Sequence, residues 1–297
     1  DPLAEYLIGS ARAALIRHLP SSVQSEVKTV VVDEPEAKAK KKPLELDAEQ
    51  LGGVRHIIGI ASGKGGVGKS TVAVNLACAL ARLGYRVGLA DADVYGPSIP
   101  TMTAMEGVTP EAVQEDGKEL IIPVEKYGVK WMSVGYFAER GQALIWRGPM
   151  ACNALKQMVL QVKWQGLDFL LIDMPPGTGD VPLTVFQSLP VDGIVIVTSP
   201  QELVSMIVEK AVKMAQIMNI PIIGIVENMS YFECPDCGKR HSIYGESHID
   251  EIASQYNIPV LAKLPIDPEL TKHCDQGTIE LFEGDWLNDA AEKIADM

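Results

Sequence analysis

The sequence predicts an α/β protein, with a doubly wound, mainly parallel sheet and helices on both of its faces. Three observations carry that expectation. The glycine-rich stretch Gly63-Lys64-Gly65-Gly66-Val67-Gly68-Lys69-Ser70-Thr71 follows the apolar run Ile57-Ile58-Gly59-Ile60-Ala61 and opens a segment of good helix formers. Apolar runs such as Phe169-Leu170-Leu171-Ile172 do not alternate with polar residues, as befits strands buried on both faces. From Arg55 onward, strand-like and helix-like segments take turns, the rhythm of a sheet built from crossover units.

Taken in order, residues 1–33 read as a small α/β remnant. Leu3, Leu7, Ala11, Ala14 and Leu15 recur at helical spacing, and Val27, Thr29 and Val31 alternate as in a strand. Residues 34–53 form a charged, proline-punctuated linker containing Lys38, Lys40, Lys41 and Lys42. The remainder, 54–297, is one nucleotide-binding domain. Its expected strands are 55–61, 86–90, 168–173, 193–198 and 222–227, with another near 259–263. Helices are expected at 70–83, 148–163, 202–218 and 247–256, and Gly84 stands where the first should stop. Residues 118–136 read as a hairpin inserted between parallel units. In such a sheet the ligand sits at the carboxyl ends of the strands.

Composition narrows the function. The 297 residues carry a formal net charge of −13 and show no lysine/arginine stripe in the main domain, which argues against nucleic acid as a main ligand. No apolar run approaches the ~20 residues a membrane-spanning helix needs. The end of the chain, 286–297, is acidic rather than a basic amphipathic anchor. Five cysteines with one close pair do not make a disulfide framework, which suggests a reducing, cytoplasmic setting.

The glycine-rich stretch fits the phosphate-loop pattern G-x-x-x-x-G-K-[ST] in its required strand–loop–helix context, which makes the domain a P-loop NTPase. Backbone N–H groups of Gly63, Gly65, Gly66, Val67 and Gly68 can curl around an anion, reinforced by the helix N-terminus at Ser70 and Thr71. Lys69 reaches the β- and γ-phosphates and the Ser70 hydroxyl can ligate Mg²⁺. Asp173 ends an apolar strand, where a carboxylate holding Mg²⁺ through water belongs, and Met174-Pro175-Pro176-Gly177-Thr178-Gly179-Asp180 suits a γ-phosphate sensor. Asp91 and Asp93, two apart beyond the second strand, can face the phosphates, one near the metal and one near the attacking water.

Cys234-Pro235-Asp236-Cys237 is a C-x-x-C knuckle whose thiolates can point at one metal ion or cluster iron. A redox dithiol and a plain structural turn are the competing readings, and His241 could complete a zinc site or be an ordinary loop histidine. Four ligands are the norm for zinc or an iron–sulfur cluster, so a bound [4Fe–4S] cluster requires two chains, each giving a pair, in a homodimer. Cys78, mid-helix, reads as a small core residue, and Cys152 and Cys274 as buried or incidental thiols.

Together with Asp91-Ala92-Asp93-Val94-Tyr95-Gly96-Pro97-Ser98 and Glu227-Asn228-Met229-Ser230, these motifs resemble the Mrp/ApbC family of iron–sulfur cluster carrier ATPases, within the deviant Walker-A group of MinD, ParA and the nitrogenase reductase. The resemblance covers about 55–295. It implies a slowly hydrolysing, Mg²⁺-dependent ATPase that carries a [4Fe–4S] cluster between two subunits, receives it from scaffold proteins and passes it to apo-proteins. It implies that Lys64 reaches the partner subunit's nucleotide, that Asn228 reads adenine, and that Pro265-Ile266-Asp267 close over the base. Cys234 and Cys237 match the cluster ligands, and Arg147-Gly148-Pro149 also fits the pattern. A MinD/ParA-like positioning ATPase and a nucleotide switch with a structural zinc knuckle are the alternatives. The resemblance breaks at the N-terminus, where relatives carry Cys-Pro-Leu and this chain has Asp1-Pro2-Leu3.

Overall fold

The computed structural model describes residues 51–115, 117–137, 148–177, 182, 186, 189–200, 204–282 and 284–297. The expected N-terminal remnant, nearly all of the linker, Arg147 and residues 178–180 lie outside the described residues.

Among the described residues the main sheet has nine strands. Seven run parallel in the order β11 (Val260–Pro265), β9 (Ile222–Glu233), β8 (Gly193–Thr198), β1 (His56–Ala61), β7 (Phe169–Asp173), β2 (Val87–Asp91) and β6 (Val129–Ser133). Two short antiparallel strands finish it, β5 (Val124–Lys126) beside β6 and β10 (Arg240–His241) beside the far end of β9. Strands β1, β2, β7 and β8 are buried along their whole length or nearly so. This is why their sequences are continuous apolar runs rather than alternating ones.

The order of the central strands puts β7 between β1 and β2. Register pairs Ile60 with Asp173 and Asp173 with Asp91, so the carboxyl ends of three strands finish side by side. Helix α1 (Lys69–Arg82) leaves the phosphate loop and lays Val72, Ala73, Leu76, Ala77 and Leu80 into the core. It ends at Leu83, and Gly84 turns the chain at φ 92°. Helix α7 (Asn288–Ala295) packs against α1 through its buried face of Ala290, Ala291 and Ile294. Cys78 is buried in α1, where desolvation pushes its thiol up to about 12, as a core cysteine should be.

The region 118–136 differs from expectation. It holds a hairpin, β5 turning back on β6 at Tyr127-Gly128, but not that alone: β3 (Ala112–Glu115) and β4 (Lys118–Ile121) make a separate two-stranded sheet, while β6 is itself a parallel member of the main sheet. The reason is burial. Val129, Trp131 and Met132 are almost wholly enclosed, and a strand that apolar belongs beside β2. Short or polar helices add to the expected set: α2 (Ile99–Met102), α6 (Pro268–Gln276), α7 and the 3₁₀ turn Val134–Phe137. The expected helices at 148–163, 202–218 and 247–256 are α3 (Gly148–Leu160), α4 (Val204–Ile217) and α5 (Ile249–Tyr256). Among the described residues, no helix is long and apolar enough to cross a membrane.

Candidate functional site

The phosphate loop turns on two residues in the left-handed region, Gly66 at φ 79° and Gly68 at φ 77°. Gly68 must be glycine for a second reason. A Cβ there would come within 2.2 Å of the Asn228 amide nitrogen. Asn228 Nδ2 donates to the Val67 carbonyl at 2.9 Å while its Oδ1 accepts the Met229 N–H. The asparagine expected to read adenine is thus packed directly on the phosphate loop, where it also props the loop's backbone.

That placement has a local cause. Strand β9 bulges against β11, with Lys263 opposite Glu227 but Pro265 opposite Tyr231, and Met229 sits at φ 58°. The bulge re-aims the Asn228 side chain. It also brings Pro265, Ile266 and Asp267 alongside, since the Ile266 N–H donates to the Tyr231 carbonyl at 2.6 Å. Asp267 then caps α6, accepting the Glu269 N–H. A narrow crevice lined by Thr71, Asn75, Asn228, Leu264 and Leu270 opens next to this segment.

At the strand ends the charges converge. Lys69 Nζ lies 2.5 Å from Asp173 Oδ1 and donates to the Ser70 hydroxyl at 3.1 Å. Asp173 is fully enclosed, and its other oxygen, Oδ2, has no hydrogen-bond partner among the described residues. Asp91 is also fully buried; it accepts Ser133 Oγ at 2.9 Å and the Asp93 N–H at 3.2 Å. Burial and the neighbouring Asp173 raise the Asp91 carboxyl well above its ordinary range. Burial likewise raises Asp173, while Lys69 pulls it back down. Two like carboxyls, an orphaned buried oxygen and the Ser70 hydroxyl form an all-oxygen donor set that fits a hard cation such as Mg²⁺. Asp93, half-buried, accepts the Gly96 N–H. Lys64 is exposed.

Ser133 joins the site without any motif to mark it. It is the last residue of β6, and its register partner is Asp91. Reading Val129–Ser133 as a parallel strand is the one signal in the sequence that places it.

The cysteine pair stands apart, beyond the far end of β9. Glu233 and Phe232 pair with Arg240 and His241, and Arg240 both bonds Glu233 at 3.0 Å and lies over the Tyr231 ring. Between these legs the Cys234 carbonyl accepts the Gly238 N–H and the Cys234 N–H donates to the Lys239 carbonyl. Backbone N–H groups of Cys237 and Asp236, then the Cys237 thiol, hydrogen-bond the Cys234 sulfur and lower its pKa. Cys237 is exposed and Cys234 half-exposed. Among the described residues no cluster of three or more Cys, His, Asp or Glu side chains could hold a metal ion, so the pair has no third protein ligand there. His241 is exposed in β10. Cys274 is half-buried with its thiol beside Thr71, and nothing is described of the Cys152 side chain.

The site has relatives. A family model described as the ParA family, NUBPL iron-transfer P-loop NTPase, matches residues 53–297. An iron–sulfur cluster carrier protein of Aquifex aeolicus is 49% identical over 77% of this chain and 62% of its own. One of Synechocystis is 42% identical over 93% of this chain and 76% of its own. The chain therefore spans a little under two thirds of the Aquifex relative's length. Among solved structures, a nucleotide-binding protein from Archaeoglobus fulgidus in complex with ADP superposes with a TM-score of 0.71 at 41% identity, covering 80% of this chain and 93% of that one. The Aquifex aeolicus cell-division protein MinD shares the fold at a TM-score of 0.58 and 21% identity, covering 82% and 97%. With the phosphate loop, its facing aspartates and the cysteine hairpin all inside the matched span, the chain belongs to the ParA-type, NUBPL-like family of iron-transfer P-loop NTPases.

Proposed function

We propose that the protein is an ATP-binding carrier that holds a [4Fe–4S] cluster as cargo between two copies of the chain and hands it to apo-proteins. The observation that carries this reading is the cysteine hairpin. It offers two preorganised sulfurs at an exposed tip, with no third protein ligand among the described residues. A cubane needs four, so a second copy supplies the rest. The name borne by the Aquifex and Synechocystis relatives, iron–sulfur cluster carrier, supports the same cargo.

The nucleotide site divides the work among residues. Loop amides from Gly63 to Thr71 cradle the phosphates, and Lys69 leaves Asp173 to neutralise the β- and γ-oxygens. Ser70, Asp91 and Asp173 would hold Mg²⁺, which supplies charge neutralisation on the transferring phosphoryl group. Asp93 orients water. Asn228 and the Pro265-Ile266-Asp267 segment hold the base, and the exposed Lys64 reaches the nucleotide of the partner subunit. Hydrolysis is slow and gates conformation. Recipients are apo iron–sulfur proteins and donors are assembly scaffolds, in a reducing cytoplasm, with neither nucleic acid nor membrane as a partner.

Anaerobic reconstitution with iron and sulfide tests the proposal. The expected product is a coloured dimer holding about four irons, lost in Cys234→Ala. A colourless chain binding one zinc per monomer overturns it.

A further inference from the structure

Glu227 stands between the two halves of the molecule's chemistry. It is 1% exposed, where β9 pairs with Thr198 of β8 on one side and Lys263 of β11 on the other. Its two carboxylate oxygens accept two hydroxyls, Ser230 Oγ at 2.5 Å and Ser247 Oγ at 2.8 Å. Ser230 lies on the strand that runs out to Cys234. Ser247 lies on the return from the cysteine hairpin, immediately before α5, where its hydroxyl also accepts the Ile249 N–H at 3.3 Å. One buried carboxylate therefore holds both legs of the excursion that presents the cysteines.

The adjacent residue faces the other way. Asn228 bonds the Val67 carbonyl and covers Gly68 so closely that no Cβ fits between them. A carboxylate this buried ordinarily has a cation beside it. Among the described residues, Glu227 has hydroxyl partners and no ion pair. Charge-assisted bonds are short and strong, so the arrangement ties both legs firmly to the strand that senses the loop. An amide in this position keeps one serine on its carbonyl oxygen but must donate its N–H to the other hydroxyl, so that leg loses its charge-assisted bond and has to turn.

We propose that Glu227 is the positioning residue that carries the state of the phosphate loop to the cysteine pair. This rests on the carrier reading above. Nucleotide drawing in the Val67–Gly68 backbone shifts Asn228, and Glu227, joined to it by one peptide bond, moves Ser230 and Ser247 together. The geometry of the hairpin at Cys234 and Cys237 then follows the occupancy of a site it does not touch.

The cluster-free chain provides the test. Alkylation of Cys234 by iodoacetamide is timed by mass spectrometry with and without a non-hydrolysable ATP analogue and Mg²⁺. The wild-type rate should change at least about fivefold on nucleotide binding. In Glu227→Gln and Ser247→Ala the response should vanish while nucleotide affinity stays within about twofold of wild type. If Glu227→Gln does not fold, Ser247→Ala decides alone. A wild-type rate indifferent to nucleotide, variants that respond as wild type does, or variants that lose nucleotide binding each overturn the proposal. Reconstitution of the wild-type chain separates the two claims: the carrier reading fails if no cluster is taken up, and this one fails if a cluster is taken up yet the response survives both substitutions.

Discussion

Lys69 Nζ lies 2.5 Å from Asp173 Oδ1, and both side chains are almost fully shut away from water, at 6% and 0% exposure. Each compensates the other in the absence of phosphate. Removing the lysine strands a buried carboxylate, so Lys69→Ala should cost about 3 kcal/mol of stability besides abolishing ATP binding. Adding Asp173→Asn should recover most of the stability and none of the binding. Urea denaturation of the two single variants and the double variant measures the coupling; strict additivity would show that the pair does not interact.

Lys64 is exposed, at the front of the loop. Lys64→Ala should leave ATP affinity within about threefold of wild type while weakening ATP-dependent dimerisation at least about tenfold. Calorimetry and light scattering read the two separately. Equal loss of nucleotide affinity in Lys64→Ala and Lys69→Ala would contradict an action across subunits.

Gly68→Ala should impair the site twice over. The left-handed φ of 77° costs about 1–2 kcal/mol for a residue with a Cβ, and that Cβ collides with Asn228. Asn228→Ala in the same chain relieves the collision but not the backbone strain. The urea midpoint should therefore recover partly in the double variant while ATP affinity should not, because Asn228 also holds the base; full recovery of the midpoint would mean that backbone conformation is unimportant.

Cys234 should be the first thiol to react with iodoacetamide. Its pKa lies below the ordinary thiol value because neighbouring N–H groups favour the thiolate. The anion therefore persists to lower pH, and half-maximal alkylation should fall at a lower pH than in the urea-unfolded chain. Cys78, buried and pushed up to about 12, should remain unmodified in the folded chain. Peptide mass spectrometry across pH gives both profiles.

Asp168 offers a stability test at the opposite, amino-terminal end of the central strands. It receives Arg86 at 2.8 Å and Arg55 at 3.3 Å, and the Arg86 hydrogen bonds chiefly hold its pKa at about 2. A depressed carboxyl stabilises the fold above its unfolded pKa of about 3.9 and loses that contribution as pH falls toward 2. Asp168→Asn should lower the urea midpoint at pH 7, and the gap should narrow steadily below pH 4. A gap unchanged by acid would exclude the charge as its cause.

Much of this is legible from the chain alone, because parallel strands buried on both faces leave continuous apolar runs that are hard to misread. No polar residue interrupts the run Gly193–Val197, and the expected strand 193–198 coincides with the observed one. The phosphate loop and the strand-end Asp173 are equally local signals. What escapes such a reading is non-local. Ser133 reaches Asp91 only through the register of β6 against β2, and Ser247 reaches Glu227 across 20 residues of sequence. Neither serine has a spacing that marks it, since hydroxyls are recruited by whichever buried carboxylate the fold brings near. Helix α6 leaves no apolar stripe to read, because none of its residues is buried.

Strand β9 runs for twelve residues, through its bulge at Met229, from its pairing with β8 out to Glu233. The sulfurs are thus mounted on a stiff arm anchored in the sheet, not on a wandering loop. Whatever binds them finds the ligands already aimed, and little chain entropy is lost on capture. The same stiffness limits what one chain can do: a rigid two-sulfur claw cannot wrap a load alone, and so leaves the other side of it to a second set of ligands.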